Sequence, residues 1–328
     1  MTPALTLQDL PVPPTGKSGW PWTQPIQPLP ARKPDNSPWP RISVVTPNYN
    51  QGQFLEETIR SVLLQGYPNL EYIIIDGAST DHSVEIIKRY EPFLAHWVSE
   101  RDRGQSHGIN KGFERCTGDY IAWMNSSDCY MPDAFKSLFT DIRPDFIYGL
   151  AAYGGKSLEE SKVNYSRGIK EFDLKYLLRF FYSAEYIIPS QSVFISNKLL
   201  KSVGFLDEDL HYCMDLDWYA RIALAKPLTY SFETPICFYR FHDDAKTKCS
   251  VDSVIAEAIQ IAKNYLVYLP SNEQRRLTNL IAYTERIKGH RGGTINNSLF
   301  NLLETLVKFP AEALSDTRFL GLLKRKFI

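Results

Sequence analysis

The chain has little of several features that mark other classes of protein. Its 328 residues carry 37 basic and 37 acidic side chains, so there is no excess positive charge with which to hold nucleic acid. No apolar run reaches the roughly 18 residues of a membrane-spanning helix, and the first residues, MTPALTLQDLPVPP, lack the basic start and apolar centre of a secretion signal. These absences predict a soluble globular protein that neither binds nucleic acid nor crosses a membrane.

Cysteine is scarce and has no metal or redox spacing. The five cysteines are an odd number, and no two of them are separated by only two residues, as in a Cys-x-x-Cys site. A reduced, cytoplasmic compartment fits this usage best.

Proline marks off the first part of the chain. Residues 1–40 hold eleven of the 21 prolines, and proline removes amide donors and favours extended, irregular backbone. We interpret residues 1–40 as an arm whose Trp20 and Trp22 pack on the surface of the main domain. That domain is predicted over residues 41–250, and a helical region over residues 251–328.

From residue 41 the sequence alternates between strand and helix patterns. The β-branched runs ISVVT and LEYIIID predict strands, and QFLEETIRSVLLQ between them has apolar residues at helical spacing. A helix over SVEIIKRY, a strand around HWVSE, a helix over GINKGFERC and a strand at YIAWM follow. This alternation predicts an α/β fold with a mostly parallel central sheet flanked by helices.

Polar residues follow three of these strands. PNYN comes after the first strand, DGASTD ends the second, and NSSD at residues 125–128 follows YIAWM. Ligands of such sheets bind beyond the carboxyl ends of the strands, so the three clusters are predicted to meet in one site. Each cluster alone is equally typical of turns and helix caps, but the repetition at three strand ends favours a site.

The stretch from about Arg41 to Pro132 resembles family 2 glycosyltransferases, inverting enzymes with the GT-A fold. The resemblance rests on the order and spacing of RISVVTPNYN, LEYIIIDGASTD, SERDRGQSHGINKGFERC and YIAWMNSSD, and it returns around Asp215 and His242. It implies a GT-A-type nucleotide-sugar-binding fold with a donor half at 41–132, an acceptor half at 133–250 and a helical appendage at the carboxyl terminus. The arm and about the last 70 residues are not well covered.

The resemblance also implies where the donor binds. A carboxylate at the second strand end would accept strong hydrogen bonds from an imide N–H or from ribose hydroxyls. The expected nucleotide-sugar contacts at the strand ends and on the helix over GINKGFERC are Thr46, Asn48, Asn50, Asp76, Asp102, Arg103, Gln105 and Lys111. Arg103 or Lys111 would neutralise phosphate, or else either is a solvated cation on a helix face.

The NSSD segment is expected to bind a divalent metal, Mn²⁺ or Mg²⁺. Relatives usually end this strand with Asp-x-Asp, often as Asn-Ser-Asp-Asp, whereas here Ser127 leaves a single carboxylate, Asp128. Mg²⁺ often takes only one or two protein carboxylates and completes its shell with water and phosphate oxygens, so one Asp suffices. Asn125, Ser126 and Ser127 would alternatively hydrogen-bond the sugar or the ribose.

Asp215 and Asp217, in FLDEDLHYCMDLDWYARIALA, are the expected catalytic residues. The stretch resembles the family's Glu-Asp motif, with Met214 in place of the Glu. Asp215 is therefore expected to act as the general base, and Asp217 as its neighbour or as an acceptor ligand. Without the resemblance, two acidic residues at a helix start would simply offset the helix dipole and cap its amides.

Two further segments are expected at the same site. IPSQSVFIS resembles the loop and strand before the base, so Gln191 would touch donor or acceptor, unless it is only the polar start of a strand. FYRFHDDAKTK resembles the family's late Arg-x-His segment, which makes His242 a candidate metal ligand. A lone histidine is also typical of a structural or exposed position.

Together these residues predict metal-assisted, inverting transfer of a sugar from a nucleotide-diphosphate donor, a UDP-sugar first among them. The acceptor would be a hydroxyl of a glycan or a lipid-linked molecule, in polysaccharide biosynthesis. Ser127 and Met214, where relatives often have acids, favour the alternative of a catalytically silent nucleotide- or glycan-binding subunit of an assembly complex. Retention of Asp76, Asp128 and Asp215 favours the enzyme.

The last part of the chain suggests contacts beyond this domain. SVIAEAIQIAKNYLVYL and NEQRRLTNLIAYTERIK have helical apolar stripes, and NNSLFNLLETLVKFP and FLGLLKRKFI combine leucine and phenylalanine with basic residues. Docking on the catalytic domain or on a partner subunit, as in a homo-oligomer, is the simpler expectation. Peripheral contact with the inner face of the membrane is the alternative.

Overall fold

The computed structural model describes residues 4–136, 138, 143–155, 164–165, 171–182, 188–242 and 251–289, with scattered positions between 305 and 320. The segments NNSLFNLLETLVKFP and FLGLLKRKFI, predicted to contact a partner or a membrane, lie mostly outside these residues. Within the described part of the chain, none of the helices has the length and hydropathy to span a bilayer.

Four parallel strands form the first half of the central sheet. The strands β1 (Ile42–Asn48), β2 (Leu70–Asp76), β3 (His96–Ser99) and β4 (Tyr120–Trp123) pair in the order β3-β2-β1-β4. Between them run the helices α1 (Gly52–Leu63), α2 (Ser83–Tyr90) and α3 (Gln105–Arg115). The register sets Asn48 beside Asp76, and Asp76 beside Ser99, so the polar strand ends are neighbours. The predicted βα alternation is confirmed.

The second half of the sheet mixes directions. Its strands are β5 (Cys129–Tyr130), β6 (Phe146–Gly154), β7 (Asn164–Tyr165), β8 (Phe194–Ser196) and β9 (Thr229–Arg240), and they continue the order as β4-β8-β6-β9-β5 with β7 paired to β6. β8 is antiparallel to β4 and β6, whereas β6 and β9 are parallel. The helices of this half are α4 (Leu174–Leu177), α5 (Asn197–Val203) and α6 (Met214–Leu224). The parallel pattern expected for the sheet is thus strongest in its first half.

Hydrophobic cores cover both faces of the sheet because successive side chains of a strand point to opposite sides. Val44 and Ile74 belong to a cluster with α1, α2 and the arm. Val45 and Ile73 belong to a cluster with α3 and α6. The α3 helix lies so close to β1 that a Cβ atom at Gly112 would overlap the Val45 side chain.

Of two further helices, α7 (Val251–Tyr265) packs on α6, and α8 (Ser271–Gly289) packs on α7. Ala258, Ile261 and Leu277 are buried in the cluster that contains Trp218 of α6. The region predicted to begin at residue 251 therefore shares a core with the domain before it.

The proline-rich arm is anchored on α1 by a buried arginine. Arg60 donates hydrogen bonds to three backbone carbonyls of the arm, those of Pro11 (2.8 Å), Pro21 (3.2 Å) and Trp22 (3.3 Å). Its guanidinium also lies 5.3 Å from the centre of the Trp22 ring. The indole of Trp20 donates to the Tyr130 carbonyl at 2.8 Å, so the arm also reaches β5. The two tryptophans pack on the domain as the sequence predicts, and both are buried.

Candidate active site

A cleft of about 790 Å³ opens at the carboxyl ends of β1, β2 and β4, and the end of β9 and the start of α6 complete its wall. Segments that are far apart in the chain meet there. The predicted site residues that line the cleft are Asn48, Asp102, Gln105, Asn125, Ser126, Ser127, Asp128, Gln191, Asp215 and His242.

Asp128 is buried and held by donors from three segments. Its Oδ1 accepts from the backbone N–H of Arg240 at 2.9 Å, and its Oδ2 accepts from the side-chain amides of Gln191 at 2.6 Å and Asn125 at 3.3 Å. Burial raises the pKa of Asp128 to about 6, although these hydrogen bonds and the charge of Arg240 act in the opposite direction. The Asp128 carboxyl is thus fixed in orientation, and it changes its protonation state at a higher pH than an exposed aspartate does.

The backbone around Asp128 is tied to α1 and β9. The Thr58 hydroxyl contacts the carbonyls of Ser126 (2.9 Å) and Asp128 (2.6 Å), and Arg240 Nε donates to the Ser127 carbonyl at 2.8 Å. The Arg240 guanidinium forms a buried ion pair with Glu57 of α1 at 3.0 Å. The NSSD loop therefore keeps its shape through buried polar contacts with two rigid elements.

Asp215 enters the cleft from the first turn of α6. The side chain is half-buried, and its Oδ1 accepts from the Leu216 backbone N–H at 2.8 Å. Burial raises the pKa of Asp215 to about 6, and the negative charge of Glu257 on α7 adds to the increase. A carboxyl with a pKa near neutrality is suited to accept a proton from a bound hydroxyl.

Asp76 lies behind the cleft wall and does not line it. Its two carboxylate oxygens accept four hydrogen bonds within the protein, from the Asn48 side chain (2.6 Å), from the N–H (2.9 Å) and hydroxyl (2.5 Å) of Ser79, and from the Ser99 hydroxyl (2.6 Å). The carboxylate therefore fixes Asn48, which does line the cleft.

Thr46 and Asn50 are also satisfied within the protein and are not part of the cleft wall. The buried Thr46 hydroxyl shares a 2.9 Å hydrogen bond with the Tyr72 hydroxyl. Asn50 Oδ1 accepts from the Thr80 N–H at 2.8 Å, and its own N–H donates to Ser79 Oγ at 2.8 Å. Asn50 therefore shapes the turn after β1, and its partner Thr80 lines the cleft.

The two cations expected at the donor are both engaged in ion pairs. Arg103 pairs with Glu208, and Lys111 Nζ lies 2.5 Å from Glu100 Oε1. The cleft wall instead contains Arg101 and Arg240. Arg103 and Lys111 are thus paired with carboxylates outside the cleft. The positive charge in the cleft comes instead from Arg101 and Arg240.

Asp217 turns away from the cleft although it is only two residues from Asp215. Its Oδ2 accepts from Arg221 Nε at 3.0 Å, and its Oδ1 accepts from the Tyr265 hydroxyl of α7 at 2.8 Å. Positions two apart on a helix point in directions about 200° apart, so both carboxylates cannot face one site.

The donor chemistry of the cleft fits a divalent cation with few protein ligands. Among the residues that the structure describes, no group of three or more His, Cys, Asp and Glu side chains could hold a metal by itself. Asp128 and His242 both line the cleft; a carboxylate oxygen is an ordinary ligand of Mg²⁺ and Mn²⁺, whereas an imidazole nitrogen suits a transition metal such as Mn²⁺ and not Mg²⁺. Such a cation would complete its shell with water and ligand phosphate oxygens.

Comparison with known proteins agrees with this geometry. Residues 43–196 match the model of glycosyl transferase family 2. This stretch, a little under half of the chain, belongs to that family. An uncharacterised glycosyltransferase of Mycobacterium tuberculosis is 29% identical over 194 residues, 58% of this chain and 72% of the relative. The putative teichuronic acid biosynthesis glycosyltransferase TuaG of Bacillus subtilis is 39% identical over 100 residues, 30% of this chain and 40% of TuaG.

Solved structures share the fold of this chain. TarS 1–349 of S. aureus in complex with UDP-GlcNAc superposes with a TM-score of 0.59 at 15% identity, over 86% of this chain and 84% of that one. The same fragment without that ligand gives a TM-score of 0.57 over 86% and 83%. At this identity the likeness establishes the GT-A-type α/β fold, as the sequence predicts.

Several cleft residues of the enzyme were not identified from its sequence. They are Tyr49, Gln51, Arg101, His211, Tyr212, Tyr239 and Arg240. Each lies within one to four residues of a predicted site residue, so proximity along the chain was the available signal. Which neighbour faces the cleft depends on tertiary contacts that the sequence pattern does not display.

Proposed function

We propose that this family 2 glycosyltransferase moves a sugar from a UDP-sugar to a hydroxyl of a glycan or lipid-linked acceptor, with metal assistance and inversion at the anomeric carbon. The observation that carries the proposal is the meeting of Asp128 and Asp215 in one cleft, although 87 positions separate them in the chain. The first is suited to a cation on the donor diphosphate, and the second to the proton of the acceptor.

The nucleoside would bind beside the ends of β1 and β2. Within the described residues, the buried side-chain oxygens of Asn48 and Gln51 have no hydrogen-bond partner, and both residues line the cleft. Unpaired buried acceptors favour a ligand that brings N–H or O–H groups, as the imide of uracil and the ribose do. The Tyr49 ring, 62% exposed at the same edge, offers an apolar face for a base.

The diphosphate would lie toward Asp128, His242 and Arg101. A cation bound there would act as a Lewis acid that offsets the charge developing on the departing diphosphate. Arg101 brings a guanidinium, which pairs well with phosphate oxygens. The hydrogen bonds from Arg240, Gln191 and Asn125 keep the Asp128 carboxylate aimed at this position.

Asp215 would accept the proton of the acceptor hydroxyl as its oxygen attacks the anomeric carbon. The C–O bond to the donor phosphate breaks as the new glycosidic bond forms, and the electron pair leaves with the nucleoside diphosphate. One displacement from the opposite face inverts the configuration, and no covalent enzyme intermediate is needed. General base catalysis of this kind typically contributes a rate factor of about 10²–10⁴.

The relatives support a donor and a pathway of this type. TarS is solved with UDP-GlcNAc, and TuaG is named for teichuronic acid biosynthesis. A UDP-sugar and a role in polysaccharide assembly are therefore the first choices to test. We also propose a cytoplasmic location, with the carboxyl-terminal helices in contact with a partner subunit of a homo-oligomer or, alternatively, with the inner face of the membrane.

A nucleotide screen tests the proposed function directly. UDP-, GDP- and dTDP-sugars are added with and without Mn²⁺, and the melting temperature and the release of nucleoside diphosphate are both measured. We expect UDP-sugars to stabilise the protein by about 2.7 kcal/mol at 100 times their Kd, with cation dependence that Asp128→Asn removes. Stabilisation with no turnover for any acceptor would instead identify a silent binding subunit, and no response to any nucleotide would refute the proposal.

We expect the transfer rate to fall as the pH drops below about 6. Asp215 must be ionised to accept a proton, and with a pKa of about 6 it is ionised in about nine-tenths of molecules at pH 7 and about one-tenth at pH 5. The pKa of Asp215 is higher in the folded protein than in the unfolded chain, so the folded protein binds this proton more tightly. Acidification through this range therefore increases the contribution of Asp215 to the free energy of unfolding. The check is a pH profile of kcat with the melting temperature recorded alongside; a flat profile from pH 7 to 5 would contradict the assignment.

A further inference from the structure

One carboxylate outside the cleft holds the backbone that leads into α6. Glu257 of α7 accepts hydrogen bonds from three successive backbone N–H groups, those of His211 at 2.8 Å, Tyr212 at 2.7 Å and Cys213 at 2.6 Å. Hydrogen bonds from amides to a charged acceptor are about twice as strong as neutral ones. The Cys213 side chain makes no capping hydrogen bond at the start of α6, and Glu257 holds the backbone that leads directly into that helix.

The α7 helix that carries Glu257 is firmly seated on α6. Ala258 and Ile261 are buried in the same cluster as Leu216 and Trp218. At the far end of α7 the Tyr265 hydroxyl donates to Asp217 at 2.8 Å. Contacts in the middle of α7 and at its carboxyl-terminal end make this helix a rigid support, and Glu257 is its polar contact with the segment before Asp215.

That segment forms part of the active cleft. His211, Tyr212, Met214 and Asp215 all line it. The hydrogen bond to Asp215 Oδ1 comes from the adjacent Leu216 N–H. The position of the Asp215 carboxyl therefore depends on the position of this backbone. A displacement of about 1 Å at reacting groups costs on the order of 10²-fold in rate.

We propose that Glu257 is a positioning residue for sugar transfer: its carboxylate fixes residues 211–213 and thereby sets Asp215 in the cleft. This inference rests on the proposed function, because it assigns Glu257 a role through the base. The residue lies 61 positions beyond the part of the chain that matches the family model, which ends at residue 196. The helical region after residue 250 is then part of the catalytic machinery and not only an appendage.

The charge of Glu257 gives the proposal a second, independent signature. Glu257 lies close enough to Asp215 for its negative charge to raise the pKa of that carboxyl, in addition to the effect of burial. The other ionisable groups near Asp215 are Cys213 and Tyr219 on its own segment. Those that share the cleft with it are His211, Asp128, Arg240 and His242. Replacing Glu257 by Gln removes one negative charge and leaves all of these groups in place.

Two substitutions in the full-length chain separate position from charge. Glu257→Ala removes the acceptor, so amide hydrogen exchange at residues 211–213 should speed up, and kcat should fall on the order of 10- to 100-fold while the KM for the donor changes little. Glu257→Gln keeps one acceptor oxygen, so we expect a smaller loss of kcat and an acidic limb of the kcat profile at lower pH. Glu285→Gln is the matched control, because Glu285 is a helical glutamate in an exposed ion pair with Lys263.

The outcomes decide between positioning and simple stabilisation. Faster exchange confined to residues 211–213, with a lower kcat and a shifted acidic limb, supports the proposal. Unchanged exchange in Glu257→Ala, or a kcat and pH profile in both variants equal to those of Glu285→Gln, overturns it. A third outcome is that the unsubstituted protein binds UDP-sugars but transfers no sugar, while Glu257→Ala still speeds amide exchange at residues 211–213. That result supports the contact between Glu257 and this segment and refutes only the proposed function.

Discussion

Asp215→Asn should lower kcat by about 10²–10⁴-fold and leave the affinity for UDP nearly unchanged. Asparagine has almost the same shape and keeps an oxygen that accepts from the Leu216 N–H, but it cannot take a proton from the acceptor hydroxyl. The nucleotide would bind at the other end of the cleft, beside Asn48 and Gln51, so its affinity does not depend on this charge. The measurements are initial rates of nucleoside diphosphate release and calorimetric titration with UDP.

Two other aspartates make this result interpretable. Asp209 is exposed and lies six residues before Asp215, so Asp209→Asn should behave as the unsubstituted enzyme. Asp217→Asn tests the neighbouring carboxylate, which accepts hydrogen bonds from Arg221 and Tyr265 and does not line the cleft. If Asp217→Asn lost the activity and Asp215→Asn kept it, the base would have to be reassigned.

Glu57→Ala should reduce the free energy of unfolding by about 3 kcal/mol or more. Glu57 and Arg240 form an ion pair with side chains only 9% and 1% exposed, and removal of one partner leaves a buried charge without its counterpart, which typically costs 3–5 kcal/mol. Urea denaturation followed by tryptophan fluorescence measures the loss. Because Arg240 also donates to the Ser127 carbonyl, the cation dependence of donor binding should weaken in the same variant.

Glu114→Ala provides the comparison for this stability measurement. Glu114 is exposed on α3, so its removal should change the free energy of unfolding by less than about 0.5 kcal/mol. Glu57→Gln keeps the size of the side chain and isolates the charge. A loss in Glu57→Ala no larger than that in Glu114→Ala would mean that solvent or other groups stabilise Arg240 without Glu57.

Much of the fold and the centre of the site could be predicted from the sequence because their signals are local. Hydrophobic periodicity marks β1 to β4 and the helices between them, and the rule that ligands bind at strand ends brings Asn48, Asn125 and Asp128 to one edge. The resemblance to the family's Glu-Asp motif identified Asp215, which lies in the same cleft. The antiparallel strands of the second half depend on pairings across long loops, and periodicity carries no information on those.

One physical reason explains why some of the predicted site residues do not line the cleft. A polar side chain at a strand end or a helix start can be satisfied by the protein itself, and the partner is often remote in sequence. Arg103 pairs with Glu208, 105 residues later, while Arg101 in the same SERDRGQS stretch lines the cleft. Asp76 is surrounded by Asn48, Ser79 and Ser99, so it orders the site from behind. Sequence spacing distinguishes none of these outcomes.

The attachment of the proline-rich arm has a consequence for how the chain folds as it is synthesised. The arm emerges before the residues to which it binds, since Arg60 follows it in the chain and the carbonyl that accepts from Trp20 belongs to Tyr130, 110 residues later. The hydrogen-bond acceptor of Trp20 is absent until β5 has been made, and contacts over such separations form slowly. We therefore expect the arm to dock late, after β5 has been synthesised, and to cover the α1 side of the domain at that stage.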